Sequence, residues 1–327
     1  MNAMTRTPAE ISATTETLRS IYFRTERDQM FREHLDRLLQ RDEEGNLLPQ
    51  AVRHSGNAET RGVIVTGGPG SGKSTVIRRN LANHPALSAA ARADQDHYLF
   101  LNFPSPATFK SVGFEVLRAT GYPEISSRRE AWSIWSLCRY RMFDQGIKVL
   151  CLDEAHDLFC NDRRLILRGL KSLMQGDDAL IVILAGTDEL RDLIRTDPQV
   201  QRRFSTLALP SVTPALNGPD IASVIAHYCG KAGLEPPTEA DLVDRLMHAS
   251  RYRFGRTLET AIKAIEWAMK HGATRLNVQH FAEAWAFDEG CPLERNVFLS
   301  PNWGSIDPDQ PSGSIVPARK TRKGKAQ

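Results

Sequence analysis

The residues best suited to chemistry lie between Gly67 and Thr75, Gly-Gly-Pro-Gly-Ser-Gly-Lys-Ser-Thr, directly after the apolar run Gly62 to Thr66. A strand that breaks into glycines and closes on Gly72-Lys73-Ser74 at the head of a helix is the arrangement that wraps a phosphate group. Its glycines let successive N–H groups turn inward, and the helix beyond Gly72 adds the positive end of its dipole. Gly67, Gly68, Pro69, Gly70, Ser71, Gly72 and Thr75 form the cradle in this reading. Lys73 reaches the β and γ phosphates, and the Ser74 hydroxyl binds magnesium.

A second chemical landmark follows about eighty residues later. Val149-Leu150-Cys151-Leu152 is a continuous apolar run of the kind a parallel strand buried on both faces requires, and it ends in Asp153-Glu154. Alone, two acids after such a run read as a helix start. Beside a phosphate loop, Asp153 would hold the magnesium shell and Glu154 would polarise a water for attack on the γ-phosphate. Thr187 closes the next apolar run, Ala179 to Ala185. It is placed to touch the γ-phosphate or the attacking water, and equally to cap a helix over Asp188 to Ile194.

Positioning these groups takes an alternation of strands and helices. Strand patterns at Gly62 to Thr66, His97 to Asn102, Ile147 to Leu152, Ala179 to Ala185 and Thr206 to Leu209 are separated by helical patterns, including Arg128 to Asp144 and Arg163 to Met174. The fold class expected is therefore α/β, a parallel five-stranded sheet with helices on both faces. Pro210 to Pro219 reads as a proline-containing junction, and beyond it only helical patterns remain. The division expected is a structureless N-terminus over 1–17, a helix and linker over 18–60, a nucleotide-binding core over 61–212, a small all-α lid over 213–289 and an extended basic tail over 290–327. One amphipathic helix over Leu18 to Leu39 is predicted to pack on the nucleotide domain.

Composition narrows the class. With 41% hydrophobic and 25% charged residues the chain has the balance of a globular protein. It carries no apolar run long enough for a membrane span and no signal-peptide core, so a cytoplasmic location is expected. Its five cysteines are scattered, which points to reduced thiols rather than a zinc site. A net charge of +3 confines any nucleic-acid surface to a local patch, and the basic run Arg319-Lys320-Thr321-Arg322-Lys323 in the tail is one candidate.

The phosphate loop, Asp-Glu on the third strand, a polar residue ending the fourth, an Arg-Phe before the fifth and a helical lid together resemble the AAA+ ATPases. The segments Arg163 to Leu173, Leu184 to Leu190 and Thr196 to Phe204 narrow this further. With Phe103-Pro104-Ser105-Pro106, Thr120-Gly121-Tyr122-Pro123 and Leu152 to His156, they are similar to the TniB/TnsC family of transposition ATPases, over about Leu18 to Phe287. The resemblance implies an Mg2+-dependent ATPase that assembles as a ring or helical filament on duplex DNA, independently of sequence. It implies a link between a TniQ-type target selector and the transposase, with hydrolysis driving disassembly. Carried onto this chain, Lys73, Ser74, Asp153 and Glu154 become the nucleotide machinery, and Arg203, with Arg202 in reserve, an arginine finger for a neighbouring subunit. The lid position where many AAA+ proteins sense the γ-phosphate holds Leu258, and Arg256 is the nearest substitute. Lys110, Arg128 and Arg129 are the DNA-contact candidates. The rival readings are another DNA-associated AAA+ ATPase, of replication-initiator or secretion type, and a nucleotide-gated adaptor without turnover.

Overall fold

The run predicted as a single helix is two. In the computed structural model of the chain, which describes residues 6–310 apart from 57, 90–94, 124 and 159, α1 (Pro8–Ser20) and α2 (Glu26–Asp36) are separate helices. Two sets of capping residues explain the break. Thr7 and Glu10 cap each other's backbone at the start of α1, and Pro8 suits its first turn. At α2 the Asp28 carboxylate accepts the Thr25 N–H at 2.8 Å, restarting the helix. The expectation of no structure over 1–17 is thus corrected from Pro8 onward. The chain divides into two compact units, residues 23–210 and, separately, 6–22 with 211–310; the packing expectation holds for α2, whose Phe31 and Leu35 lie in the first unit's core, and is corrected for α1, which belongs to the second.

In the first unit the polar stretch after α2 contains a hairpin that the sequence reading left out, β1 (Leu39–Arg41) and β2 (Leu47–Ala51). Its turn is closed by the Asn46 N–H on the Asp42 carboxylate at 2.7 Å. There follow β3 (Gly62–Thr66), α3 (Lys73–Ala82), β4 (Tyr98–Asn102), α4 (Phe109–Ala119), α5 (Ala131–Asp144), β5 (Val149–Asp153), α6 (Arg163–Leu173), β6 (Ile181–Gly186), α7 (Asp188–Arg195), α8 (Pro198–Gln201) and β7 (Phe204–Ala208). The five strands β3 to β7 pair in parallel in the order β4-β5-β6-β3-β7, as the α/β pattern predicts.

Strand residues alternate between two cores, the period-two consequence of the pleat. Ile64, Leu150, Leu152, Val182 and Leu184 face a core with Phe109, Val112, Trp135, Ile166 and Leu170 from α4, α5 and α6. Val63, Val65, Val149, Cys151, Ile181 and Ile183 face the other, with Phe31 and Leu35 of α2 and Ile77 and Leu81 of α3. Covering both faces explains why β3, β5 and β6 are buried throughout and read as unbroken apolar runs. Trp135 packs as expected, stacked on Phe109 with ring centroids 5.0 Å apart.

The second unit is helical: α1, α9 (Pro214–Ala232), α10 (Leu242–Ala249), α11 (Phe254–Lys270) and α12 (Val278–Glu289). The expected proline junction ends early, since α9 starts at Pro214 and carries Pro219 inside it. The tail expectation is corrected over 291–310. Instead of an extended chain, these residues make 3-10 turns at Leu293–Arg295 and Trp303–Ser305 and bury Asn296, Val297 and Phe298. Arg245 of α10 holds this segment by donating to the carbonyls of Val297, Phe298 and Ser300. The basic run Arg319 to Lys323 lies outside the described residues. Among the described residues, no helix is long and apolar enough to cross a membrane.

Candidate functional site

The glycine loop leaves the carboxyl end of β3, next to the strand order's reversal between β3 and β6, where open α/β sheets hold their ligands. Gly72 is the N-cap of α3 at φ +92°, a conformation that a side chain would strain. At Gly67 the loop is close-packed on a side chain that can move: a Cβ there would stand 2.8 Å from Ser71 Oγ. Between them the loop curls so that Lys73 turns back into it, its Nζ donating to the carbonyl of Gly67 at 2.8 Å. Ser74 occupies the next position of α3, half-buried, while Thr75 is exposed.

Strand register brings the acids to the same edge. Asp153 is the last residue of β5, pairs across with Asn102 of β4 and is 2% exposed. Its Oδ1 accepts the Glu154 N–H at 3.0 Å. Glu154 has a left-handed backbone, φ +57°, which is costly for a side-chain-bearing residue and typical of functional positions. Its carboxylate is half exposed, and Oε2 lies 3.2 Å from His156 Nδ1, near enough for charge pairing though not aligned as a hydrogen bond. Thr187 follows β6, whose Gly186 carbonyl accepts the Gly67 N–H at 3.3 Å, so it stands beside the loop. It precedes α7 in the N-cap position, but its hydroxyl makes no capping bond.

These groups suit a magnesium-bound triphosphate. Thr66 Oγ1, Ser71 Oγ and Thr187 Oγ1 are buried and have no protein partner, and buried hydroxyls are ordinarily satisfied. They surround the loop together with a buried carboxylate and the N-terminus of a ten-residue helix. The sequence reading passed over Asn102 and Arg78. Arg78 lies 4.0 Å above the Phe100 ring and donates to Asn102 Oδ1 at 3.2 Å, beside Asp153. The available signal was a polar residue closing an apolar run, the same signal that marked Thr187.

The structure does not bring Arg202 and Arg203 to this site. Phe204 pairs with Gly62 at the opposite end of β3, so five residues of strand, about 16 Å at ~3.3 Å each, separate them from the loop. Arg203 is 2% exposed and is ion-paired with Glu59, whereas Arg202 is exposed on the same carboxylate. Lys110 is tied to the segment that carries Arg128, its Nζ donating to the Ser127 carbonyl at 3.1 Å; Arg129 follows and donates to Ser133 Oγ. In the helical unit Arg256 lies 3.4 Å from the Glu289 carboxylate, and burial lowers its pKa.

A family model described as the bacterial TniB protein matches residues 33–214. No curated protein matches the chain. Among solved structures, the Aeropyrum pernix Orc1 protein in complex with DNA is similar at a TM-score of 0.60 and 17% identity, over 83% of this chain and 65% of that one. The chain therefore spans slightly less than two thirds of that protein. Cdc6p from Pyrobaculum aerophilum is similar at 0.58 and 16%, over 82% and 70%. A chain of the Drosophila ORC bound to DNA is similar at 0.55 and 16%, over 88% and 70%. At these identities the likeness concerns the fold alone, a parallel sheet with a helical region after it.

Proposed function

Because this chain belongs to the TniB family, we propose that it is an ATP-dependent regulator of DNA transposition. It binds ATP and magnesium at the Gly67 to Thr75 loop, assembles on duplex DNA, connects a TniQ-type target selector with the transposase, and is released from DNA by hydrolysis. The observation that carries this reading is the convergence of Lys73, Asp153, Glu154 and Thr187 at one edge of the sheet, within the family's matched region.

The loop amides and Lys73 hold the β and γ phosphates, which requires Lys73 to leave the Gly67 carbonyl for the triphosphate. Ser74 and Asp153 are the side chains that would hold Mg2+, which when bound neutralises charge on the phosphates. Glu154, anchored by its own N–H on Asp153 and half exposed at the strand end, takes a proton from the attacking water. The Thr187 hydroxyl, free of a capping role, orients that water or the γ-phosphate. An arginine of the Arg202-Arg203 pair, too far from its own loop, completes the site of a neighbouring copy. Lys110, Arg128 and Arg129 supply phosphate contacts to the duplex without reading sequence, so binding weakens steeply with salt. The DNA in two of the similar structures' descriptions supports that surface's ligand class.

Negative-stain imaging of the purified chain with a duplex of random sequence tests this reading. Rings or filaments on DNA with a non-hydrolysable ATP analogue, and none with ADP, are expected. Monomers in both states would refute assembly on DNA.

A further inference from the structure

Two consecutive arginines share one carboxylate at the edge of the sheet remote from the phosphate loop. Glu59 Oε1 accepts from Arg202 Nη2 at 2.8 Å and also from Arg203 Nη2. The two guanidinium groups are otherwise unlike. The Arg203 side chain is 2% exposed and donates through Nη1 to the Lys171 carbonyl at 3.2 Å. The Arg202 side chain is 55% exposed. Two cations against one anion leave one positive charge unbalanced, and the difference in exposure puts that charge on Arg202.

The surroundings fix Glu59 itself. Its neighbour Thr60 is fully buried, with its N–H on the Met174 carbonyl at 3.0 Å and its hydroxyl on the Leu180 carbonyl. Two residues on, the Gly62 N–H donates to the Arg203 carbonyl at 2.8 Å. Glu59 and Arg203 are thus locked to β3, α6 and the approach to β6 from both backbone and side chain. Arg202, by contrast, lines a cleft of about 300 Å³ with Arg191, Arg195, Gln201 and Thr206. Asp192 lies 3.2 Å from Arg191 and 3.9 Å from Arg195, partly balancing that pair.

We propose that Arg202, and not Arg203, is the arginine offered to the nucleotide phosphates bound by a neighbouring copy, and that the pairing of the buried Arg203 with the partly exposed Glu59 is a positioning device that holds it at the mouth of this cleft. The assignment deepens the reading of the chain as an ATPase and rests on it. Releasing Arg203 would expose Glu59 and strip a buried cation of its partner, whereas Arg202 reaches outward by changing rotamers alone. Arg202 exchanges its share of Glu59 for the incoming phosphate, and Arg203 keeps the carboxylate neutralised while it does so.

The test measures ATP turnover by the full chain on duplex DNA. Arg202→Ala should keep the melting temperature and lose turnover by about 10³-fold. Mixing it with Glu154→Gln chains, themselves inactive but still able to bind ATP and assemble, should restore turnover, because an intact Glu154 of one chain then meets an intact Arg202 of another. Arg203→Ala should lower the melting temperature. Below its own melting temperature, Glu59→Gln should lower kcat with KM unchanged, and Glu59→Asp should recover part of it. Unimpaired turnover by Arg202→Ala, or complementation by Arg203→Ala at an unchanged melting temperature, would overturn the assignment alone. Absence of turnover by the unsubstituted chain on DNA would overturn the ATPase reading and the assignment with it.

Discussion

Gly72→Ala isolates what the phosphate loop's backbone contributes. At φ +92° and ψ 12° the residue sits where an added Cβ meets no neighbouring atom within 4 Å. The cost is therefore backbone strain alone, about 1–2 kcal/mol. Where that strain is felt depends on the free loop. If the loop keeps its curl without nucleotide, both states carry the strain: the melting temperature falls by about 2–8 °C, at about 2–4 °C per kcal/mol for a unit of this size, and ATP affinity holds. If the free loop relaxes instead, the melting temperature holds and Kd rises by about 5- to 30-fold as nucleotide forces the curl back. Differential scanning fluorimetry and isothermal titration of the same preparation separate the two. Gly67→Ala serves as the contrast, since its Cβ meets a movable hydroxyl, Ser71 Oγ at 2.8 Å. Unchanged melting temperature and unchanged affinity in Gly72→Ala would refute the argument that the cradle requires a left-handed residue at the head of α3.

Glu154→Gln should bind ATP with ordinary affinity and hydrolyse it at least ~10²-fold more slowly, with DNA-bound assemblies persisting under ATP; rapid turnover in a phosphate-release assay would remove Glu154 as the base. Lys73→Ala should lose nucleotide binding and, with it, assembly on DNA. Stability should also depend on Asp178, whose carboxyl the Arg139 guanidinium holds below the usual carboxylate range. A depressed folded-state pKa contributes stability that is complete above the unfolded carboxylate pKa and is lost as pH falls through the folded value. Thermal melts of Asp178→Asn should therefore show a weaker loss of stability on acidification below about pH 4 than the unsubstituted chain shows; parallel curves would exclude that contribution.

Local sequence carried the nucleotide half of this molecule because parallel strands buried on both faces cannot disguise themselves. β3, β5 and β6 read as unbroken apolar runs, and the residues that end them stand at the sheet's carboxyl edge by construction. Gly67 to Thr75, Asp153, Glu154 and Thr187 were legible for that reason. Asn102 also closes an apolar run, but its place beside Asp153 depends on register with another strand, which local sequence does not carry. The N-terminal helix was misjudged because periodicity runs through Ile21 to Arg24, where Thr25 and Asp28 restart the chain. Residues 291–310 read as a tail because their anchors, Arg245 and His248, lie some fifty positions away.

The class of fold, the phosphate loop and the acids that end β5 are written locally in the chain, since each depends on spacing within one strand and its following turn. What distinguishes Arg202 from Arg203 is exposure, and that comes from tertiary contacts. Both precede the same strand and carry the same charge, and they are told apart only by Glu59, 143 and 144 positions away in sequence, which buries one guanidinium and leaves the other in solvent.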